Sequence, residues 1–260
     1  MEKVRDYLNK FTGKEYVFLE RRGNTALKKL FNLMKNEGRK YILMQDQGGW
    51  ITYRQFAEKN KMEIIRIPTD YGIIESVEDI KEAMGNRVAE ECFIMINSMP
   101  GYHALQPMEG IAEWCKSEGV VVINDVSGSI GYDVAKQGDY LVGSFGKAKP
   151  LDIGGGGFIA TDKNIGFEES GEIDTAALAE RLSKLAEIQE RFKKKHDEII
   201  SKLKGYDIVH PDSKGINVIV KGEELADVQE FCVNEGLEYT ECPRYIRINE
   251  KGMCIEVKRL

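Results

Sequence analysis

Residues 120–123 read Val-Val-Val-Ile, four β-branched residues in a row, and Asn124 and Asp125 follow at once. β-Branched side chains favour extended backbone, and a run with no polar alternation is stable only if both faces of the strand are covered. Such a strand belongs inside a sheet flanked by helices, and here it ends in a carboxylate. Residues 140–145 (Y-L-V-G-S-F) repeat the pattern and run into G-K-A-K-P-L-D-I-G-G-G-G, from which a third strand leaves at residues 158–161. Carboxylate, hydroxyl, lysine and flexible glycine backbone therefore collect at strand ends, where open α/β sheets bind their ligands.

The rest of the first 145 residues keeps the same rhythm. Short apolar runs at residues 16–19, 41–44, 63–67 and 92–96 alternate with helix-like segments at 2–11, 53–60, 76–84 and 107–117. A further helix carries Leu27, Leu30, Phe31 and Met34 at helical spacing and is opened by Gly23, Asn24 and Thr25. This alternation predicts an α/β fold, a mostly parallel, doubly wound sheet. After Asp162 the pattern changes. A charged, linker-like piece at residues 163–172 leads into a long helical run from Thr175 to about Lys204, with Leu178, Leu182, Leu185, Ile188 and Phe192 along one stripe. Strands at 216–220, 245–248 and 254–257 with a helix at 223–234 then form a compact α/β unit. The expected layout is a large domain over residues 1–172, a connecting helix over 173–205 and a small C-terminal α/β domain over 206–260.

Charge and composition narrow the function. The net charge is −6 and the densest basic cluster, residues 191–196, reads as the wet face of a helix, so nucleic acid is not an expected partner. No apolar stretch reaches membrane-spanning length and the first residues are charged, so no membrane association is expected either. The five cysteines are scattered without a C-x-x-C pair, as in a reducing, cytoplasmic setting, and the three histidines show no metal-ligand spacing.

The block S-F-G-K-A-K-P-L-D-I-G-G-G-G-F-I-A-T resembles fold-type-I enzymes that use pyridoxal 5'-phosphate (PLP), most closely the DegT/DnrJ/StrS sugar-aminotransferase group. The resemblance implies a PLP-transferase fold with Lys149 as the Schiff-base lysine; Lys147, two residues earlier, is the competing choice. Asp125 matches the acidic residue that keeps the pyridine nitrogen protonated, which lets the ring accept electrons. Thr25 and Ala26 match the phosphate-binding helix start, where unpaired N–H groups and the helix dipole suit an anion, although an ordinary N-cap at Asn24 or Thr25 reads the same way. Ser144 matches a second phosphate contact, and Trp50, in G-G-W-I-T-Y, an aromatic stacked on the cofactor ring. Tyr102 and His103 border the expected site, with a surface role the plainer reading for His103. In C-P-R-Y-I-R-I-N, Arg247 matches a substrate-carboxylate fork, with Arg244 as competitor.

Three features depart from that group. Gly128 stands where a Gln is usual, residues 163–174 lack an Asn-x-Arg pattern that reaches a neighbouring subunit, and the chain is short. The resemblance implies a homodimeric PLP-dependent aminotransferase that exchanges nitrogen between small-molecule amino donors and acceptors, an amino acid or a small amine or keto compound. A C–S lyase or desulfurase using Cys242 as sulfur acceptor is one alternative, and a non-catalytic binding or scaffold protein another.

Overall fold

The computed structural model describes residues 1–260. In the first part α1 (Glu2–Thr12), β1 (Tyr16–Glu20), α2 (Gly23–Asn36), β2 (Tyr41–Gln45), α3 (Ile51–Lys59), β3 (Glu63–Ile67) and α4 (Val77–Met84) follow one another. β4 (Cys92–Asn97), α5 (Met108–Glu118), β5 (Val121–Asp125), β6 (Tyr140–Ser144) and β7 (Gly157–Thr161) complete it. The strands form one seven-stranded sheet in the order β1-β7-β6-β5-β4-β2-β3. β3, β2, β4, β5 and β6 are parallel, while β7 runs antiparallel between β6 and β1.

The unbroken apolar runs are explained by two separate cores. Side chains alternate across a strand, so Phe93, Met95, Val121, Ile123, Tyr140 and Val142 face α2 and α3 in one cluster. Ile94, Ile96 and Val122 pack on the opposite face with Ile80, Met108 and Ile111 of α4 and α5. The parallel register aligns Asn97 with Asp125 and Asp125 with Val142, so these strands end together along one edge. Sequence order reverses between the β4–β5–β6 side and the β2–β3 side of the sheet, the arrangement that opens a crevice at strand C-termini.

The helical run after residue 174 is two helices, not one. α6 (Thr175–Ser183) and α7 (Leu185–Lys202) divide at Lys184. The break has a packing reason: Leu178 and Leu182 of α6 join Val4 and Leu8 of α1 in a large-domain cluster. Ile188, Phe192 and Ile199 of α7 instead join the core of the C-terminal unit. That unit contains β8 (Asp207–Ile208), β9 (Val218–Lys221), α8 (Ala226–Asn234), β10 (Tyr239–Cys242) and β11 (Gly252–Ile255). Its strands make a four-stranded antiparallel sheet, ordered β10-β11-β9-β8. Residues 245–248, expected as a strand, form a turn in which Arg247 N–H donates to the Arg244 carbonyl, while the Tyr245 carbonyl accepts from Gly48 of the large domain. The strand lies earlier, at β10.

The piece at residues 163–174 lies along the edge strand β1. Ser170 bridges Glu20, Glu169 accepts from the Leu19 N–H, and Phe167 packs edge-on against Phe18. It covers an otherwise open sheet edge.

Phe31 is fully buried between Phe56 and Phe93, with ring centroids 5.8 and 5.7 Å away. Phe31→Ala leaves a cavity under α2 and is expected to cost about 3–5 kcal/mol. Urea unfolding followed by circular dichroism measures this, with the exposed Val233→Ala as a near-neutral control.

Candidate functional site

A cleft of about 760 Å³ lies at the strand C-termini, between the seven-stranded sheet and the C-terminal unit. Asp125, Ser144, Lys149, Trp50 and Arg247 all line it, with Lys147, Tyr102 and Lys258.

Asp125, at the end of the central strand β5, is held at both oxygens. Tyr53 Oη of α3 donates to Oδ2 at 2.5 Å, and the Ser127 N–H donates to Oδ1 at 2.9 Å. Tyr53 is fully buried; burial and then the adjacent carboxylate raise its pKa well above the usual tyrosine range, so it remains a donor. Bonding continues from there: Ser127 Oγ accepts from the Ser144 N–H at 3.0 Å, and Ser144 Oγ accepts from the Gly146 N–H at 3.2 Å. Carboxylate and hydroxyl thus hold a fixed spacing through β5 and β6.

Lys149 reaches inward. Its Nζ donates to Tyr102 Oη at 2.6 Å and lies 5.4 Å from the Trp50 ring. Burial disfavours its charge, but the Tyr102 oxygen and the Asp125 carboxylate outweigh this and raise its pKa. The loop is shaped by Ala148, whose φ of 58° is left-handed, and by Asp152, which accepts from the Ala148 and Gly154 N–H groups at 2.7 Å each. A left-handed alanine costs about 1–2 kcal/mol, which the carboxylate clamp offsets. Lys147, on the other side of Ala148, is exposed at the rim.

At the helix start, Gly23 and Asn24 line the cleft. Thr25 and Ala26 lie one step further in: their N–H groups both bond to the Arg22 carbonyl, and Ala26 is in the core. α2 begins at Gly23, earlier than a cap at Asn24 or Thr25 implies, and the space at that position admits only a glycine. A Cβ on Gly23 would come 2.8 Å from Ser144 Cβ. Trp50 precedes α3 and is 38% exposed, its indole N–H donating to Asn24 Oδ1 at 3.2 Å.

The small domain supplies the other wall. Arg247 is buried with its fork already engaged: Nε donates to Glu256 Oε1 at 2.9 Å and Nη2 to Oε2 at 2.8 Å. Nη1 also donates to the Ile246 carbonyl at 2.7 Å, so each guanidinium nitrogen has a partner within the C-terminal unit; Arg247 lines the cleft and Arg244 does not. Burial works against the Glu256 charge, but Arg247 and Lys258 hold its pKa below the usual carboxylate range. His103 is buried, not at the surface. It stacks on His210 at 5.7 Å without a hydrogen bond to either nitrogen, and burial pushes its pKa down to about 3. Cys242 is buried in a small apolar cluster with Val209, Ile219, Ile248 and Cys254, away from the cleft wall.

Sequence reasoning missed Tyr53, Asp152 and Lys258 and gave Tyr102 only as a neighbour. Tyr53 carried a usable signal, three residues after Trp50 at the start of a helix. Tyr102 also explains Gly128: a Cβ there would lie 2.9 Å from the Tyr102 ring, so the ring fills the space that a longer side chain would need.

The profile of the DegT/DnrJ/EryC1/StrS aminotransferase family matches residues 6–170. The chain belongs to this family. Residues 179–260 match a second profile, the MJ1341 family C-terminal domain. No curated protein matches the sequence. Among solved structures, a serine palmitoyltransferase variant from S. paucimobilis with a bound PLP–myriocin aldimine superposes with a TM-score of 0.75 at 16% identity, over 98% of this chain and 70% of that one. A NifS-like protein gives 0.74 at 15% identity over 98% and 80%. An apo cysteine desulfurase from Thermococcus onnurineus NA1 gives 0.72 at 12% identity over 100% and 80%. The fold is that of fold-type-I PLP enzymes. No helix of this family member is long and apolar enough to cross a membrane.

Lys258 offers a pH test. Burial first, then Arg247, lowers its pKa to about 8 from 10.5; Lys149 and Arg259 add to the lowering and Glu256 opposes it, while the ammonium faces the Tyr102 ring. Between those values the unfolded chain holds the proton more strongly, so the Lys258 contribution to stability rises with pH across that window. The cofactor-free protein is expected to gain stability from pH 8 to 10.5 relative to Lys258→Met, measured as the difference in Tm between the two at each pH.

Proposed function

We propose that this protein is a PLP-dependent aminotransferase that acts on an amino acid or a small amine or keto compound, with Lys149 as the cofactor-carrying amine. The supporting observation is the convergence of Lys149 and Asp125 on one cleft below the exposed Trp50 ring. The residues present suit the cofactor. Gly23 and Asn24 at the start of α2, with Ser144, would hold the phosphate, where the helix dipole and close glycine contact favour an anion. Trp50 would cover the ring, Asp125 would face the pyridine nitrogen, and Lys149 would meet the aldehyde.

PLP, when bound, supplies an electron sink for the pair left as a proton leaves the substrate carbon. The chain's residues do the rest. Asp125 keeps a proton on the ring nitrogen, and Tyr53 and the Ser127 N–H prevent that carboxylate from turning away. Lys149 Nζ takes the proton from the substrate carbon and returns it at a neighbouring carbon, the general acid–base step of nitrogen transfer. Tyr102 Oη holds that amine in place. A desulfurase reading lacks support here, since Cys242 is buried and burial raises its thiol pKa. A homodimer, in which a second copy covers the Trp50 and Ile51 side of the cleft mouth, completes the reading; both are among the exposed large apolar residues.

PLP added to the protein is expected to give a visible absorbance band that borohydride bleaches, with the label mapped to the peptide carrying Lys149. A label at Lys147 would move the role to that residue, and no band in folded protein would sink the reading. Lys149→Ala is expected to lose at least ~10²-fold in turnover. The raised Lys149 pKa has a sign consequence. The neutral amine that must attack the aldehyde is a minor form below that pKa, so the rate of PLP loading is expected to rise about tenfold per pH unit from pH 6 to 9, measured by stopped-flow absorbance.

A further inference from the structure

With the Arg247 fork engaged by Glu256 and Arg259 paired with Glu238, Lys258 is the cation on the C-terminal wall of the cleft that makes no hydrogen bond through its ammonium. Glu256 has four acceptor positions, and all are filled: Oε1 takes Arg247 Nε at 2.9 Å and Thr240 Oγ1 at 2.7 Å. Oε2 takes Arg247 Nη2 at 2.8 Å and Asn217 Nδ2 at 3.3 Å. Lys258 Nζ, 3.5 Å from Oε2, is therefore an ion-pair neighbour with no hydrogen-bonding site left to it. The residue is only 8% exposed, and it lines the cleft. Its ammonium sits 4.8 Å from the centroid of the Tyr102 ring, the same ring whose hydroxyl receives Lys149 and from whose centroid Lys149 Nζ is also 4.8 Å.

We propose that Lys258, on the turn that follows β11, is the group that recognises a substrate carboxylate, and that Arg247 positions it through Glu256 and does not touch substrate. The inference rests on the aminotransferase reading and narrows its substrate class to amino acids and their keto acids, excluding simple amines. A ligand whose nitrogen is at Lys149 extends its carboxylate across the Tyr102 ring to Lys258. Backbone geometry fixes the lysine: its own N–H donates to Asn217 Oδ1 at 3.2 Å, and the Asn217 N–H donates to the Tyr102 carbonyl at 2.8 Å. The recognition group and the ring it crosses are thus tied to one buried asparagine. An arriving carboxylate supplies the missing acceptors and favours the charged form.

The test uses the full chain loaded with PLP. The visible band and its borohydride label at Lys149 are checked first in wild type and in Lys258→Gln, which separates a failure of the cofactor reading from a failure of this one. L-Alanine, L-serine and L-glutamate are then titrated beside their α-carboxamides, with the shift of the band as the measure of binding. In wild type the acids are expected to bind about 10- to 100-fold more tightly than the amides. Lys258→Gln is expected to remove that preference by weakening the acids, and Lys258→Arg to restore part of it. A preference that survives in Lys258→Gln, or none in wild type, overturns the proposal. A second measurement needs no cofactor: succinate, but not succinamide, is expected to raise the Tm of the PLP-free wild type and not that of Lys258→Gln. An equal shift in both proteins overturns it as well.

Discussion

The two halves of the site meet at a left-handed turn. Gly101 and Tyr102 have φ of 55° and 68°, and the Tyr102 carbonyl accepts the N–H groups of both Ile216 and Asn217, at 2.7 and 2.8 Å. A tyrosine in this conformation is uncommon and costs about 1–3 kcal/mol. Two interdomain hydrogen bonds and burial of the ring offset that cost. The turn sends the ring over Gly128 and its hydroxyl to Lys149, while the main chain behind it grips the small domain. The Lys149 ammonium, the cleft wall and a contact with the C-terminal unit therefore share this residue.

The sheet supplies the rest of the order. Parallel strands must be joined by crossovers that bring the chain back to the same edge, so every strand from β2 to β6 ends on the same side. Asn97 and Asp125 are placed side by side by register alone, and Ser144 ends the adjoining strand. The two cores, one per face, then hold that edge rigid. In the proposed function this matters because Asp125 must keep its distance to a ring held elsewhere by Ser144 and Trp50, and a strand that slipped by one residue would exchange the side chains packed in the two cores.

How much was legible in the sequence follows from the range of each signal. The Val-Val-Val-Ile run and the alternation of strands with helices report local burial, and the doubly wound sheet follows from them. The glycine-rich block after Lys149 and the carboxylate after the central strand were likewise readable, because strand ends are local features. The Arg247–Glu256 pair was not: residues 245–248, expected as a strand, form a turn, and Glu256 lies beyond β11 in the chain. At the start of α2 it is Gly23 and Asn24 that line the cleft, two residues before Thr25 and Ala26, and no local signal marks that offset. Lys258 had no local mark, since its lack of an acceptor arises only when Arg247, Thr240 and Asn217 fill Glu256.

These departures form one coupled change in the cleft. A side chain at residue 128 and the Tyr102 ring compete for the same volume, so a glycine there is the condition for Tyr102 to stand beside Lys149. Once that ring is in place, its face is available to cations from the small domain, and Arg247 and Lys258 both lie against it, at 5.9 and 4.8 Å. Two cations on one wall repel each other, and a single buried carboxylate cannot hydrogen-bond both fully. Glu256 is saturated by the bidentate fork because planar guanidinium and carboxylate match in geometry, which a lysine cannot do. In the proposed reading the arginine thereby becomes part of the scaffold, and the lysine is the one of the pair that binds an anion brought in from outside.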